Sequence, residues 1–395
     1  MVGVEPATDC EFRYGSGMKI GIFLPNATFD LPGSPEVGGI ETFSLTVGEA
    51  LQRLGHEVVL FGGAPKAGRR HRETTLTLEL HLYWETKAIP DIGTRFQRLL
   101  QRVHFGWSTR EAWRRHRCDL VLLAKPFDWP VAWTWKRSRP DLKVIMGFHG
   151  TDFFPGMMRF YSAIDASFAV SPAVADLAEA RVGRRPVLIP NPVDMEFFRP
   201  DKTKAARVPG TDWHLVASGR LVGWKGFRNL ITAVGKLRDE HRIVARLTIA
   251  GEGPERETLQ ARIEELGLSH QVKLCGLLDA PALRDLLRTG DLYVQPAIGL
   301  EAFSISALEG ACVGLPLLVS DQVGLARYLT EADVVTYPAG DVNALTGQLK
   351  ELWKRRMDPK WTDQAARHAW MGAHFSAEKT ARKILDLLGI VSCNM

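Results

Sequence analysis

Cysteine is scarce in this chain, with five residues (Cys10, Cys118, Cys275, Cys312 and Cys393) in 395. They are scattered without metal-type spacing, which argues against a metal cluster and for reduced thiols in a cytosolic protein. Long apolar runs are missing too. No stretch approaches the ~20 residues of a spanning helix, so any membrane contact must be peripheral. The first residues carry Glu5, Asp9 and Glu11 and lack the apolar core of a secretory signal. Charge of one sign is in short supply. A net +5 is small for this length and gives no reason to expect nucleic acid as a partner. There are no short-period repeats, no low-complexity tracts, and no Asp-x-Asp sequence that would argue for a metal-bound diphosphate.

What is present is an α/β pattern stated twice. The length alone favours two domains. Residues 1–17 lack periodicity and read as a loose leader. Met18–Pro25 reads as a buried strand, a Gly- and Pro-rich loop follows, and a helix is expected from about Ile40 to Leu54. Glu57–Phe61 completes a βαβ unit, the signal for a parallel sheet covered by helices. Further strands are expected at Leu76–Tyr83, Leu120–Ala124, Lys143–Phe148, Ala166–Val170 and Val187–Ile189. Residues 201–212 are polar and suit a linker. The pattern then restarts, with strands at Trp213–Ser218, Ala245–Ala250, Val272–Leu274, Leu292–Gln295 and Leu317–Val319. A last amphipathic segment, Ser376–Leu388, comes after this second half is complete. The expected boundaries are 18–200 for one Rossmann-like domain and 213–375 for the other, with residues 376–395 rejoining the first.

Several stretches have the residue types of a ligand site. Ser218-Gly219-Arg220 through Lys225-Gly226 leaves a strand with two cations, and an arginine fork with a lysine suits a diphosphate. A solvated loop is the plain alternative. In Pro296–Gly310, Glu301 sits in a loop at a helix start and Glu309 lies eight residues on, on roughly the same side of the helix. Such a turn suits a ligand that offers hydroxyls to the acids and phosphate to the helix N-terminus. Gly38-Gly39 opens a helix and is able to admit a phosphate to bare amides. Gly251-Glu252-Gly253 lacks the third glycine of a dinucleotide fingerprint and reads as a turn. His149 ends a strong strand within Phe148-His149-Gly150-Thr151-Asp152. Asn191-Pro192-Val193-Asp194 reads first as a turn with side-chain hydrogen bonds. Thr94–Arg117 holds seven arginines against the single acid Glu111 and reads as one basic amphipathic helix. It either meets an anionic membrane or acceptor, or packs its apolar face on the sheet with its arginines in solvent. Trp129, Trp133 and Trp135 read as core or rim rather than as a sugar platform.

Taken in order, these stretches resemble the family 4 glycosyltransferases, retaining nucleotide-sugar enzymes of the GT-B fold. The resemblance rests on Gly219-Arg220-Leu221 with Lys225-Gly226, on Glu301 and Glu309 with seven residues between them, and on Pro296 before them with Gly314-Leu315-Pro316 after. Phe148–Asp152, Ser171, Asn191–Asp194 and Gly251–Gly253 accompany them. It implies two Rossmann-like domains across a deep cleft, with the C-terminal helix crossing back to the first. It implies that Arg220 and Lys225 hold the donor diphosphate, Glu309 the ribose and Glu301 the hydroxyls of the sugar. Backbone amides from Phe303 through Ser304 to Ile305 would touch phosphate or sugar, Gly39 would approach from the N-terminal domain, and His149 would line the cleft. Asp152, Arg114 and Arg115 are the acceptor-side candidates.

The chain departs from the family in two places. Glu301-Ala302-Phe303-Ser304 stands where Glu-Gly-Phe-Gly is common, and Asp321–Arg327 replaces a pattern of Gly-Gly and then Glu. The resulting expectation is a retaining hexosyltransferase using a nucleoside-diphosphate sugar as co-substrate, with no permanent cofactor and no metal. Its acceptor would be a glycan or lipid-linked glycan of the cell envelope, such as a lipopolysaccharide or exopolysaccharide intermediate. It would be cytoplasmic, or peripheral at the inner face of the cytoplasmic membrane. A soluble aglycone as acceptor, a nucleotide-sugar epimerase and a non-catalytic binding module stay open as alternatives.

Overall fold

The structure is a computed structural model that describes residues 17–28, 38–64, 74–83, 94–150, 152–201, 213–330 and 333–389. The expected leader and linker lie almost wholly outside these residues. Two parallel sheets organise the rest. The first has seven strands in the order β3-β2-β1-β4-β5-β6-β7. These are β1 (Lys19–Thr28), β2 (Glu57–Gly63), β3 (Thr77–His81), β4 (Leu120–Leu123), β5 (Lys143–Phe148), β6 (Ala166–Ala169) and β7 (Val187–Leu188). The second has six, in the order β10-β9-β8-β11-β12-β13. They are β8 (Trp213–Ser218), β9 (Ala245–Ala250), β10 (Val272–Gly276), β11 (Leu292–Gln295), β12 (Leu317–Ser320) and β13 (Val334–Tyr337).

Central strands such as Leu120-Val121-Leu122-Leu123 and Leu292-Tyr293-Val294-Gln295 are buried at every position. Continuous burial is what a parallel sheet with both faces covered requires. In each sheet the chain winds outward in both directions from one point, between β1 and β4 in the first and between β8 and β11 in the second. Ligands bind outside the carboxyl ends of the strands at such reversals.

One apolar cluster joins the halves. It runs from the first sheet through Phe303, Ala307 and Leu308 to Phe375 and Ile384. Tyr328 packs beside Phe303 and Phe375, and its hydroxyl donates to the Val170 carbonyl at 3.1 Å. The last helix, α13 (Ala377–Asp386), packs on α1 (Gly39–Arg53) of the first half, with Arg53 Nε 2.8 Å from Glu378. The chain turns back beside Val193, whose N–H donates to the Phe375 carbonyl at 3.1 Å while Val193 bridges to Ser376. This is the GT-B architecture, with its C-terminal helix returned to the N-terminal half.

The basic segment corrects the sequence reading. It forms two helices, α2 (Thr94–Ser108) and α3 (Arg110–His116), interrupted at Thr109. The Thr109 hydroxyl bonds back to the carbonyls of Phe105 and Gly106. The face that α2 turns inward carries polar side chains. Gln97, Gln101 and Arg102 are buried, and Arg102 pairs with the fully buried Asp128. Phe96, Leu100, Val103 and Trp107 point outward, Trp107 with 62% of its surface exposed. A buried guanidinium is tolerable only because its carboxylate partner is buried with it. The tryptophans fall as expected. Trp129 and Trp135 are buried, Trp135 stacks on Trp113 at 4.0 Å, and Trp133 sits at the rim under Arg137.

Candidate functional site

The residues brought together lie at the carboxyl ends of β8 and β11, which are neighbours in the sheet. After β8 the backbone needs close company. Gly219 N–H donates to the Ala250 carbonyl, and Leu221 exchanges hydrogen bonds with Glu252 and Glu255. A Cβ on Gly251 would lie 1.9 Å from the Gly219 oxygen, and one on Gly253 would lie 2.3 Å from that of Leu221. These two glycines back the Arg220 loop rather than face a ligand, as a turn would.

The same loop then straps onto the segment after β11. Ile298 and Gly299 both donate to the Trp224 carbonyl. Lys225 and Glu301 form an ion pair, each with only 12% of its side chain exposed. Glu301 is fixed from behind, its N–H donating to Gln322 and its carbonyl accepting from Gly324. The Asp321–Arg327 stretch, where the family pattern fails, therefore anchors the Glu301 backbone. Arg220 is exposed, and its side chain has no partner among the described residues.

α9 (Ile305–Cys312) starts directly above this pair. Ser304 caps it, accepting from Ala307 N–H at 3.3 Å, but it does so at φ 78°, ψ 83°. That left-handed conformation is the one glycine adopts without strain. Phe303 is buried. Glu309 is half-buried one turn further up, close enough to Tyr293 and Cys312 for its charge to help push both groups' pKa values up, although burial is the larger cause. The Tyr293 hydroxyl, pushed to about 12, bonds to Ser218 and ties β11 to β8.

From the other half, α1 meets α9 start to start. A Cβ on Gly39 would lie 3.4 Å from Ile305 Cδ1, so the starts of the two helices lie side by side. Their partial positive charges suit an anion between them. The Gly38 amide is not bare, however, because it donates to Glu41 Oε2 at 2.9 Å. Glu41 is a site neighbour that the sequence does not single out. Burial raises its pKa, opposed by that hydrogen bond and by Lys125 and Arg102.

His149 packs its ring against Phe43 and Phe168, at 4.4 and 5.9 Å between centroids. Burial pushes its pKa down to about 3, with Lys125 adding to the effect and Asn191 opposing it. His149 Nε2 and Asn191 Oδ1 are both buried without a partner in good geometry. At neutral pH the imidazole is uncharged, so it has one N–H to donate and one nitrogen to accept with, but not the acidic proton of an imidazolium. Asn191 is thus buried beside His149. The turn hydrogen bond expected of its segment is made by Asp194, which accepts from Phe197 N–H.

Because the folded-state pKa lies below the unfolded one, the unfolded chain binds more protons between about pH 6.5 and 3. Stability should therefore fall as the pH drops through that window. His149→Phe should remove this part of the acid sensitivity. Urea denaturation of both proteins at pH 7 and pH 4.5 checks it, and an unchanged difference between them would mean that His149 does not titrate there.

Lys125, at the end of β4, is a second residue that sequence reasoning misses. It pairs with Asp152 at 3.2 Å and influences Glu41, Asp128 and His149. Its position just past a central strand is the available signal. Asp152 is shared with Arg98 at 3.5 Å. Arg115 is bound to Glu79 at 2.7 Å, and Arg114 is exposed. Both precede the amino end of β4, whereas His149 follows the carboxyl end of its neighbour β5. The structure does not bring these two arginines to the cleft. Among the described residues no group of three or more His, Cys, Asp or Glu side chains is placed to hold a metal ion.

Comparison with known proteins covers nearly the same span as these two halves. Residues 37–197 match the profile described as Glycosyltransferase Family 4, and residues 198–369 match that described as Glycosyl transferases group 1. A stretch of 111 residues is 37% identical to "Uncharacterized glycosyltransferase MJ1607" of Methanocaldococcus jannaschii, covering 28% of each chain. The "Phosphatidyl-myo-inositol mannosyltransferase" of Mycobacterium leprae is 25% identical over 85% of this chain and 87% of its own. The matched region thus spans little over a quarter of the archaeal relative and most of the mycobacterial one. Among solved structures, Anabaena Alr3699/HepE in complex with UDP superposes with a TM-score of 0.72 at 15% identity, covering 95% of this chain and 100% of its own. At that identity the likeness is one of fold.

Proposed function

The chain belongs to the family 4, group 1 glycosyltransferases, and from that premise we propose that it moves a hexose-type sugar from a nucleoside diphosphate to an acceptor hydroxyl with retention of configuration. The observation that carries this reading is the Lys225–Glu301 pair with the exposed Arg220 on the same loop, in the half whose α9 starts beside the start of α1. Arg220 and Lys225 bind the diphosphate, and amides from Phe303 to Ile305 complete its cradle. Glu309 accepts from the ribose hydroxyls and Glu301 from the sugar. As the bond to the sugar breaks, negative charge grows on the leaving phosphate, where fixed cations and helix N-termini act without reorganising. A neutral His149 lines the opposite wall, where it suits a sugar hydroxyl better than it would serve as an acid. With no convincing nucleophile, the leaving phosphate itself helps deprotonate the acceptor in a front-face displacement.

The donor base is uridine in this reading, supported by the UDP complex of the structural neighbour. The acceptor is a lipid-linked envelope glycan, at home at an anionic membrane surface. The outward apolar stripe of α2 with its flanking arginines supports that setting, as does the lipid in the name of the mycobacterial relative. No helix among the described residues is long and apolar enough to cross a membrane.

A thermal-shift series with UDP-, GDP-, ADP- and dTDP-sugars tests the donor. UDP-sugar at ~100-fold excess over Kd should stabilise the protein by about 2.7 kcal/mol. No shift with any of the four would end the transferase reading of this site.

A further inference from the structure

The loop that carries His149 runs past Asp152 into Phe154-Pro155-Gly156 and a 3-10 helix over Met157–Ala163. Between it and the first turns of α2 lies a cavity of about 280 Å³, walled by Phe96, Leu99, Phe154 and Phe160, with Arg95 and Arg159 beside them. The two arginines are exposed, and neither has an acidic partner among the described residues. The carboxylates flanking Arg159 in sequence are taken by other cations, Asp152 by Arg98 and Lys125 and Asp165 by Lys136. Aromatic walls alone fit any apolar group, and surface arginines alone fit any anion. Side by side, they fit a molecule that is apolar at one end and doubly acceptor-rich at the other. The apolar wall also continues out of the cavity, from Phe96 along Leu100, Val103 and Trp107 on the exposed face of α2.

We propose that this cavity binds a membrane-resident lipid phosphate, the anchor of the acceptor. Its alkyl or isoprenoid chain lies among Phe96, Leu99, Phe154 and Phe160, and its phosphate spans Arg95 and Arg159. The α2 stripe rests on the bilayer from which the chain emerges. A glycan attached to that phosphate then extends from there toward the proposed donor site. The inference deepens the transferase reading and rests on it for the acceptor's role, but the binding itself is measurable without donor.

Calorimetric titration of the full chain with dodecyl phosphate, inorganic phosphate and 1-dodecanol tests it. Dodecyl phosphate should saturate one site, with the other two at least tenfold weaker. Arg95→Ala with Arg159→Ala, both at exposed positions, should weaken dodecyl phosphate tenfold or more, and Leu99→Trp should do the same by filling the cavity. Circular dichroism and the donor thermal shift of these variants should match wild type. Equal binding of inorganic phosphate, or undiminished dodecyl phosphate binding by both variants, overturns the proposal. If donors shift the melting point and dodecyl phosphate does not bind, the cavity assignment falls alone. If dodecyl phosphate binds as stated and no donor does, the transferase reading falls and the lipid-phosphate site stands.

Discussion

Lys225→Ala should lower kcat/KM for sugar transfer by about 10²–10³-fold, mostly through kcat, the loss typical of removing one fixed group that stabilises developing negative charge. The reason is where the ammonium stands. Lys225 ends the 3-10 turn Gly223–Lys225 and meets Glu301 in a site that water reaches poorly, with 12% of each side chain exposed. In the resting protein the carboxylate holds the ammonium in place. In the proposed donor complex the ammonium lies between the carboxylate and a phosphate whose charge increases as the sugar departs. Removing it leaves Glu301 unpaired beside that phosphate, so repulsion replaces attraction. The double variant Lys225→Ala/Glu301→Gln should then lose less than the product of the single losses, because the unpaired acid is gone as well. Steady-state rates for the four proteins form the test. Retention of wild-type kcat/KM within threefold by Lys225→Ala would remove Lys225 from the donor site.

The second large effect is expected at Gly226, to which the proposed donor site assigns no ligand contact. It stands at φ 73°, and a Cβ there would lie 1.9 Å from the Pro296 carbonyl oxygen. Both backbones must move for alanine to fit, and those are the two segments that carry Lys225 and Glu301. Gly226→Ala should cost about 2–4 kcal/mol of stability, from a disfavoured dihedral plus a clash with backbone that cannot rotate away. It should also lose activity beyond what the folded fraction explains. Gly223→Ala, three residues earlier, is the control, since nothing lies within 4 Å of its added Cβ. Urea melts and rates measured well below the transition separate the two losses. A Gly226→Ala protein as stable as Gly223→Ala would show that the strap between the loops is slack.

Both predictions concern residues visible in the sequence, yet only one of the reasons is. Apolar runs between Gly and Pro breaks reveal most strands, with boundaries close to those observed. Val334–Tyr337 escapes that reading because it is four residues long and exposes Thr336. Arg220, Lys225, Glu301 and Glu309 can be picked out because each sits near a strand end or helix start, where chemistry and spacing coincide. The Arg102–Asp128 pair, the shielding of Glu41 and the placing of Asn191 beside His149 depend on the folded surroundings, and no local pattern encodes them. α2 shows the limit most plainly. Its periodicity announces two faces, but not which one turns inward; in the fold Phe105 packs inside on Phe23, and Arg102 beside it meets the buried Asp128. Ser304 is legible in one sense only. The sequence shows a side chain where glycine is usual, and the structure shows that the backbone keeps the glycine conformation regardless.

The contact between Val193 and the 375–376 turn has a mechanical consequence. The chain passes from the first half to the second after Pro200 and comes back at Phe375, and the hydrogen bond and bridge at Val193 hold the return close to the residues that precede the departure. Any separation of the halves that drew Phe375 away from Val193 would have to break this hydrogen bond and bridge, and one that drew Tyr328 away from Val170 would break their hydrogen bond as well.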